Sequence, residues 1–326
     1  MTAASARSPI SAKLRDSDIE KFFNAVQAVP SLALQVHGLS MVLRKLSEWD
    51  MLAHILHAAV RIRSIQIHNG WRPSIFETAV QMLFSNSFST GWMELKSLHL
   101  QRGEWPRPMS LLLAPMYTQW APQLERFVIP DLISERSTAT EEGAAIPAVL
   151  TLVTTINWLE QNVQRVTWSG LRILSITNHW RNRNSKILFH TRVQEVILRA
   201  SASDNLVRLT SLTMTGYGNT DAHFVGVFQC LPRLRKLKMR CTTPELFETT
   251  MAATPKGLRT LILDAPMNHS QSKGTALLSS LEIVFNLGAL GRLRQLTLNF
   301  STTGSSESKM PLAVLCQRKK IRLGGL

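Results

Sequence analysis

Three cations alternate along one short segment: Lys236, Lys238 and Arg240. In an extended chain, side chains two residues apart lie on the same face, so this spacing would place three positive charges side by side. Such a cluster can bind carboxylates or phosphates, and arginine can donate two parallel hydrogen bonds to either group. A run of charge is also what an ordinary solvated surface presents, and the segment alone does not separate the two interpretations.

No combination of residues in the sequence indicates a catalytic site. His54 and His57 lie three residues apart, as two metal ligands on one helix face can, but no third ligand and no HExxH pattern accompanies them. The chain also has no GxSxG, GxGxxG or GxxxxGK[ST] segment. We therefore predict a noncatalytic protein without a metal or a cofactor.

The cations at 236–240 belong to an apolar pattern that recurs along the chain. Apolar residues fill positions 1, 4 and 6 of a short window, and the windows begin at residues 29, 62, 95, 124, 171, 193, 209, 234, 258 and 293. As strands, these windows would bury positions 4 and 6 and turn positions 3, 5 and 7 outward. Intervening segments such as 46–61 have helical character. A repeat on this scale predicts a solenoid whose units bury their apolar faces by stacking.

The predicted fold is a right-handed α/β solenoid of irregular leucine-rich repeats, with parallel strands on the concave face and helices outside. Residues 1–28 would form an N-terminal extension or cap, 29–300 the repeats, and 301–326 a basic C-terminal tail or cap. An insertion at about 130–170 would contain a polar loop and a helix over 147–163. The longest uncharged runs are interrupted by polar residues, so we predict no transmembrane segment.

Five cations are predicted to contact a partner. Lys236, Lys238 and Arg240 occupy positions 3, 5 and 7 of one window. Arg126 takes position 3 of the window at 124, and Arg199 takes position 7 of the window at 193. If these windows are strands, all five side chains lie on the outward face.

Net charge indicates acidic partners. Lys and Arg number 37 against 22 Asp and Glu, which gives +15. The balance fits an acidic protein surface, and it also fits nonspecific binding to nucleic acid or to an anionic membrane. None of the ten windows has an aromatic residue at position 3, 5 or 7, which disfavours recognition of unpaired bases by stacking.

Tryptophan and cysteine support two weaker expectations. All 8 tryptophans precede residue 181, so Trp92, Trp105 or Trp120 could form an interface, although buried packing is the commoner role. The 3 cysteines, at 230, 241 and 316, are odd in number and form no CxxC pair. Cys230 and Cys241 are predicted to be core thiols, and the number and spacing of the cysteines indicate a reducing compartment, the cytoplasm or the nucleus. The Arg-containing, acid-poor segment 1–15 leaves an organelle address open.

The segments LRKLKM at Leu234, LRTLIL at Leu258 and LRQLTL at Leu293 are similar to leucine-rich repeats of the ribonuclease-inhibitor-like kind. Their uneven spacing resembles the degenerate repeats of fungal F-box proteins, over roughly residues 29 to 300. That resemblance implies a substrate-receptor module that holds a protein destined for ubiquitination, with a ubiquitin-ligase adaptor bound by the F-box. No LPxE-type F-box opening occurs in the first 60 residues. The adaptor contact is therefore implied by the resemblance alone.

Overall fold

The chain divides into two compact units. The computed structural model describes residues 10–14, 18–69, 94–101, 124–128, 149–164, 166–178, 189–203, 206–216, 225–240, 248, 251–264, 271–288, 290–299 and 310–324. Unit 1 comprises Met1–Leu152 and Arg165–Thr167, and unit 2 comprises Val153–Gln164 and Trp168–Leu326.

Strands follow one another in the sheet in the order in which they occur in the chain. They are β1 (Ile10–Leu14), β2 (Val36–Leu43), β3 (Ser64–Asn69), β4 (Ser97–Gln101), β5 (Arg126–Val128), β6 (Thr151–Thr155), β7 (Ile173–Asn178), β8 (Ser211–Gly216), β9 (Lys236–Arg240), β10 (Thr260–Asp264), β11 (Gln295–Asn299) and β12 (Arg322–Gly324). Pairing is parallel from β1 to β5 in unit 1 and from β7 to β12 in unit 2.

Helices and short turns connect these parallel strands, as parallel pairing requires. The helices are α1 (Asp18–Ala28), α2 (Pro30–Ala33), α3 (Leu46–Ala58), α4 (Ile156–Asn162), α5 (Phe189–Ser203), α6 (Val225–Gln229), α7 (Gln271–Asn286) and α8 (Met310–Arg318), with 3-10 turns at Trp168–Gly170 and Leu206–Arg208. Among the described helices, none has both the length and the apolar character needed to cross a bilayer.

Stacked apolar ladders form the core, as the window pattern predicts. In β9, Leu237 is fully buried and pairs in register with Leu261 of β10, and Met239 pairs with Leu263. Each such burial stabilises the fold by about 1.5–3 kcal/mol. Since every strand covers the apolar side chains of its neighbours, each unit is an α/β leucine-rich-repeat-like solenoid.

Two of the ten windows are not strands. The window at 29 falls on α2 and its flanks, where Val29 is 53% exposed, and the strand of that repeat is β2. The window at 193 lies within α5. Apolar residues three apart fit a helix face as well as they fit window positions 1 and 4. Val193, Val196, Ile197 and Ala200 are buried at helical spacing, while Leu198 is 38% exposed.

Four strands, β1, β2, β6 and β12, coincide with none of the ten windows. β1 lies within residues 1–28 and pairs with β2, and β12 lies beyond residue 300 and pairs with β11. β6 occupies the first part of the predicted helix over 147–163, so that prediction is wrong for residues 151–155. The Thr155 hydroxyl accepts a hydrogen bond from the Trp158 N–H (3.3 Å) and caps α4 directly after the strand.

Candidate partner-binding surface

The outward-facing side chains of β7 to β12 form a polar surface on unit 2, which we call the outer strand face. It comprises the residues at window positions 3, 5 and 7 whose side chains are described, together with Arg322 of β12, which pairs with Gln295: Ile173, Ser175, Thr177, Ser211, Thr213, Thr215, Lys236, Lys238, Thr260, Ile262, Asp264, Gln295, Thr297, Asn299 and Arg322. All of these residues are exposed or half-buried. Hydroxyl and amide groups outnumber charges, so the face offers both hydrogen-bond donors and acceptors.

Lys238 does not contribute a free charge to this face. Its Nζ lies 3.1 Å from Asp264 Oδ2, and the Asn299 Nδ2 donates to Asp264 Oδ1 at 2.8 Å. One carboxylate on β10 therefore connects β9 to β11. The charge of Lys238 is therefore offset by a carboxylate on the adjacent strand, and its contact with a partner stays a prediction.

Lys236 is the exposed cation of the predicted cluster. It begins β9, and no hydrogen bond or ion pair joins its side chain to any described residue. Arg240 ends β9, and its side chain lies outside the described part of the chain. The described charges of β9 and β10 thus amount to one free cation beside a neutralised pair.

Arg126 lies on the corresponding face of unit 1, beside two histidines that the sequence analysis did not select. It begins β5 and is exposed. Burial, and then the positive charges of Arg126 and His68, lower the pKa of His99 to about 4. Gln66 Nε2 and His68 Nε2 lie 3.0 Å apart. Gln66, His68 and His99 occupy positions 5 or 7 of the windows at 62 and 95, so the outward-facing rule could have found them.

Arg199 is not on a strand face. It lies on α5, the helix that the window at 193 predicts as a strand. Three of the five predicted cations lie on β9 of unit 2, Arg126 lies on β5 of unit 1, and Arg199 lies on α5.

Histidine and cysteine show no assembled site. His54 and His57 are exposed on α3, with the His54 ring centroid 5.9 Å from that of Phe23. Within the described ranges, no group of three or more His, Cys, Asp or Glu side chains could hold a metal ion. Cys230 and Cys316 are free thiols, and burial raises the pKa of Cys316. Cys241 lies outside the described residues.

Both tryptophans whose side chains are described are buried. Trp158 is 6% exposed and Trp168 is 1% exposed, and the Trp168 Nε1 donates to the Val163 carbonyl at 2.9 Å. These two residues therefore pack in the core. The interface predicted around Trp92, Trp105 or Trp120 falls outside the described residues.

Comparison with solved structures gives distant likenesses, an internalin among them. A crystal structure of an internalin from Listeria monocytogenes aligns with 91% of this chain and 82% of that chain, at 12% identity and a TM-score of 0.38. No protein-family model matches the sequence, and no curated protein matches it. The fold assignment above rests on the parallel strand order and the buried ladders of this chain.

Proposed function

We propose that this chain is a noncatalytic scaffold that recognises a protein partner through the outer strand face of unit 2. The observation that carries the proposal is the composition of that face across six consecutive strands, with hydroxyls, amides and charges of both signs. A surface built on strands is held in place by the core beneath it, so binding orders few side chains.

Charge and side-chain type favour a protein over a polyanion at this face. Asp264 offsets the charge of Lys238, so the described face offers a polyanion only the unpaired cations Lys236 and Arg322. None of the described side chains of β7 to β12 at position 3, 5 or 7 is Phe, Tyr, Trp or His, so the face has no aromatic ring for stacking on bases. These features fit a partner that places a carboxylate next to Lys236 and polar groups next to the Ser and Thr hydroxyls of the outer strand face.

Resemblance to fungal F-box repeat proteins adds a class of partner. By that likeness the bound protein is a ubiquitination substrate, in the cytoplasm or the nucleus, and a ubiquitin-ligase adaptor joins the complex. A second function, nonspecific binding of nucleic acid or an anionic membrane, is favoured by the net charge of +15.

Affinity purification from nuclease-treated cell extract, at about 0.1 M and about 0.5 M salt, separates these functions because salt screens exposed charges. We expect to recover the same bound protein at both salt concentrations, and to recover none of it with Lys236→Glu. Lys21→Glu is the matched control, since Lys21 is exposed on α1 of unit 1 and its reversal changes the net charge equally.

Lys238 should be changed to Gln rather than Glu, because a carboxylate there would face Asp264 and disturb β9 and β10 directly.

Recovery of a ubiquitin-ligase adaptor with the partner would support the receptor role. Recovery of only nucleic acid or lipid from untreated extract, and only at low salt, would contradict protein recognition.

A further inference from the structure

A row of arginines marks the position where strands of unit 2 begin. Position 2 of the windows is Arg172 before β7, Arg235 before β9, Arg259 before β10 and Arg294 before β11, with Thr210 before β8. We call these four arginines the arginine row, and all of them are exposed. The row lies at the beginning of the strands, and it shares no residue with the outer strand face.

Backbone hydrogen bonds fix the spacing of the row. The Arg235 N–H donates to the Thr210 carbonyl, the Arg259 N–H to the Arg235 carbonyl, and the Arg294 N–H to the Arg259 carbonyl, each at 2.8 Å. Arg235, Arg259 and Arg294 are thus one strand apart, about 4.8 Å in a parallel sheet, whereas Thr210 on the intervening strand separates Arg172 from Arg235. Side chains attached at this backbone spacing hold like charges near one another, which is unfavourable unless anions approach them.

Unit 1 has charges of both signs at the same position, and there the cations are paired. Arg63 Nε lies 3.2 Å from Glu94 Oε2, and Lys96 Nζ lies 2.9 Å from Glu125 Oε1. Lys96 and Glu125 are the position 2 residues of adjacent strands. In unit 1, each of these cations therefore forms an ion pair with a glutamate at position 2 of the next window or in the turn before it.

No described carboxylate takes that role in unit 2. Members of the arginine row form no side-chain hydrogen bond or ion pair with any described residue. The turns before β8, β9 and β11 instead add the exposed cations Arg208, Arg233 and Arg292. Guanidinium groups bind carboxylates in a bidentate manner, so the row offers several unfilled sites of one kind.

We propose that the arginine row binds an acidic segment of a partner protein, whose Asp and Glu side chains take the place that Glu94 and Glu125 have in unit 1. This inference goes beyond the proposed function, because it concerns a different surface and a defined ligand chemistry. No exposed aromatic side chain accompanies the row in the described turns and strand starts, since Trp168 in the turn before β7 is buried, and this disfavours single-stranded nucleic acid held by base stacking.

The test is a fluorescence anisotropy titration of the full chain with a labelled glutamate homopeptide, and in parallel with a labelled oligothymidylate of equal charge. The row variant is Arg235→Gln, Arg259→Gln and Arg294→Gln. The control variant removes the same number of charges at exposed sites elsewhere: Lys21→Gln, Arg61→Gln and Arg318→Gln. Circular dichroism and urea unfolding establish that both variants fold as the parent chain does.

We expect the row variant to bind the peptide about tenfold more weakly and the control variant to change by less than about twofold, as three exposed pairs of ordinary strength would give. Equal losses in the two variants would show that net charge alone attracts the peptide, and would overturn the proposal. Tighter, row-dependent binding of the oligothymidylate would overturn it too, by making the row a nucleic-acid surface. The titration needs no cellular partner, so its outcome is independent of the purification that tests the outer strand face.

Discussion

Leu237→Ala tests the stacking that defines this fold. Leu237 is fully buried in β9, and its register partners Leu212 in β8 and Leu261 in β10 are fully buried as well. The substitution removes three carbons, worth about 2.4 kcal/mol in transfer free energy at about 0.8 kcal/mol each. Because ladder neighbours on both sides hinder collapse of the cavity, the total cost should be about 3–5 kcal/mol.

Native-state hydrogen exchange measures that cost strand by strand. We expect amides of β8, β9 and β10 to exchange at least about a hundredfold faster, since neighbouring repeats share each apolar ladder. Leu287→Ala is the matched control, because Leu287 is 71% exposed and should change stability by less than about 0.5 kcal/mol. Equal effects of the two substitutions, or faster exchange confined to β9, would refute the reasoning.

Three further predictions concern single polar groups. Thr154→Val should raise the free energy of unfolding by about 1 kcal/mol in urea titrations, because the buried Thr154 hydroxyl has no hydrogen-bond partner and the substitution keeps the volume; a loss of stability would show that the hydroxyl is satisfied. His99 has a pKa of about 4 when folded against 6.5 ordinarily, so the unfolded chain binds the extra proton and stability should fall as the pH falls from 6.5 to 4. His99→Gln should lose less stability over that interval, and parallel urea midpoints for the two chains would contradict the assignment. Arg192 donates from Nε to Glu160 Oε1 at 2.6 Å and from Nη2 to Asn157 Oδ1 at 2.7 Å, so Arg192→Ala should cost about 1–3 kcal/mol. A double-mutant cycle with Glu160→Ala should show coupling between the two side chains, and additive losses would exclude it.

Much of the sheet could be predicted from local spacing. Windows at 62, 95, 124, 171, 209, 234, 258 and 293 all coincide with strands. The windows at 29 and 193 fail because apolar residues three apart satisfy a helix and a strand start equally. β6 escapes the pattern because Thr154 takes position 6, where other strands carry an apolar residue. One buried hydroxyl at an apolar position is therefore enough for a pattern of apolar residues to miss a strand.

The surface was harder to predict than the core. Position alone shows that Lys238 faces outward, but its pairing with Asp264 depends on which strands are neighbours and on side-chain reach, and neither is local in sequence. The arginine row is the opposite case. It is visible as the second residue of LRKLKM, LRTLIL and LRQLTL, and attention to positions 3, 5 and 7 passes over it. Glutamates pair its counterparts in unit 1, and no carboxylate among the described residues of unit 2 takes that role, which becomes visible only when adjacent strands are compared.

The most direct test of protein recognition is the dissociation constant of the purified partner, measured by isothermal titration calorimetry with the parent chain, Lys236→Glu and Lys21→Glu. We expect Lys236→Glu to weaken binding by about tenfold, because it places a carboxylate where the partner's carboxylate would lie, and Lys21→Glu to leave the constant within about twofold. Equal constants for all three proteins, or equal weakening by both substitutions, would contradict recognition through the outer strand face.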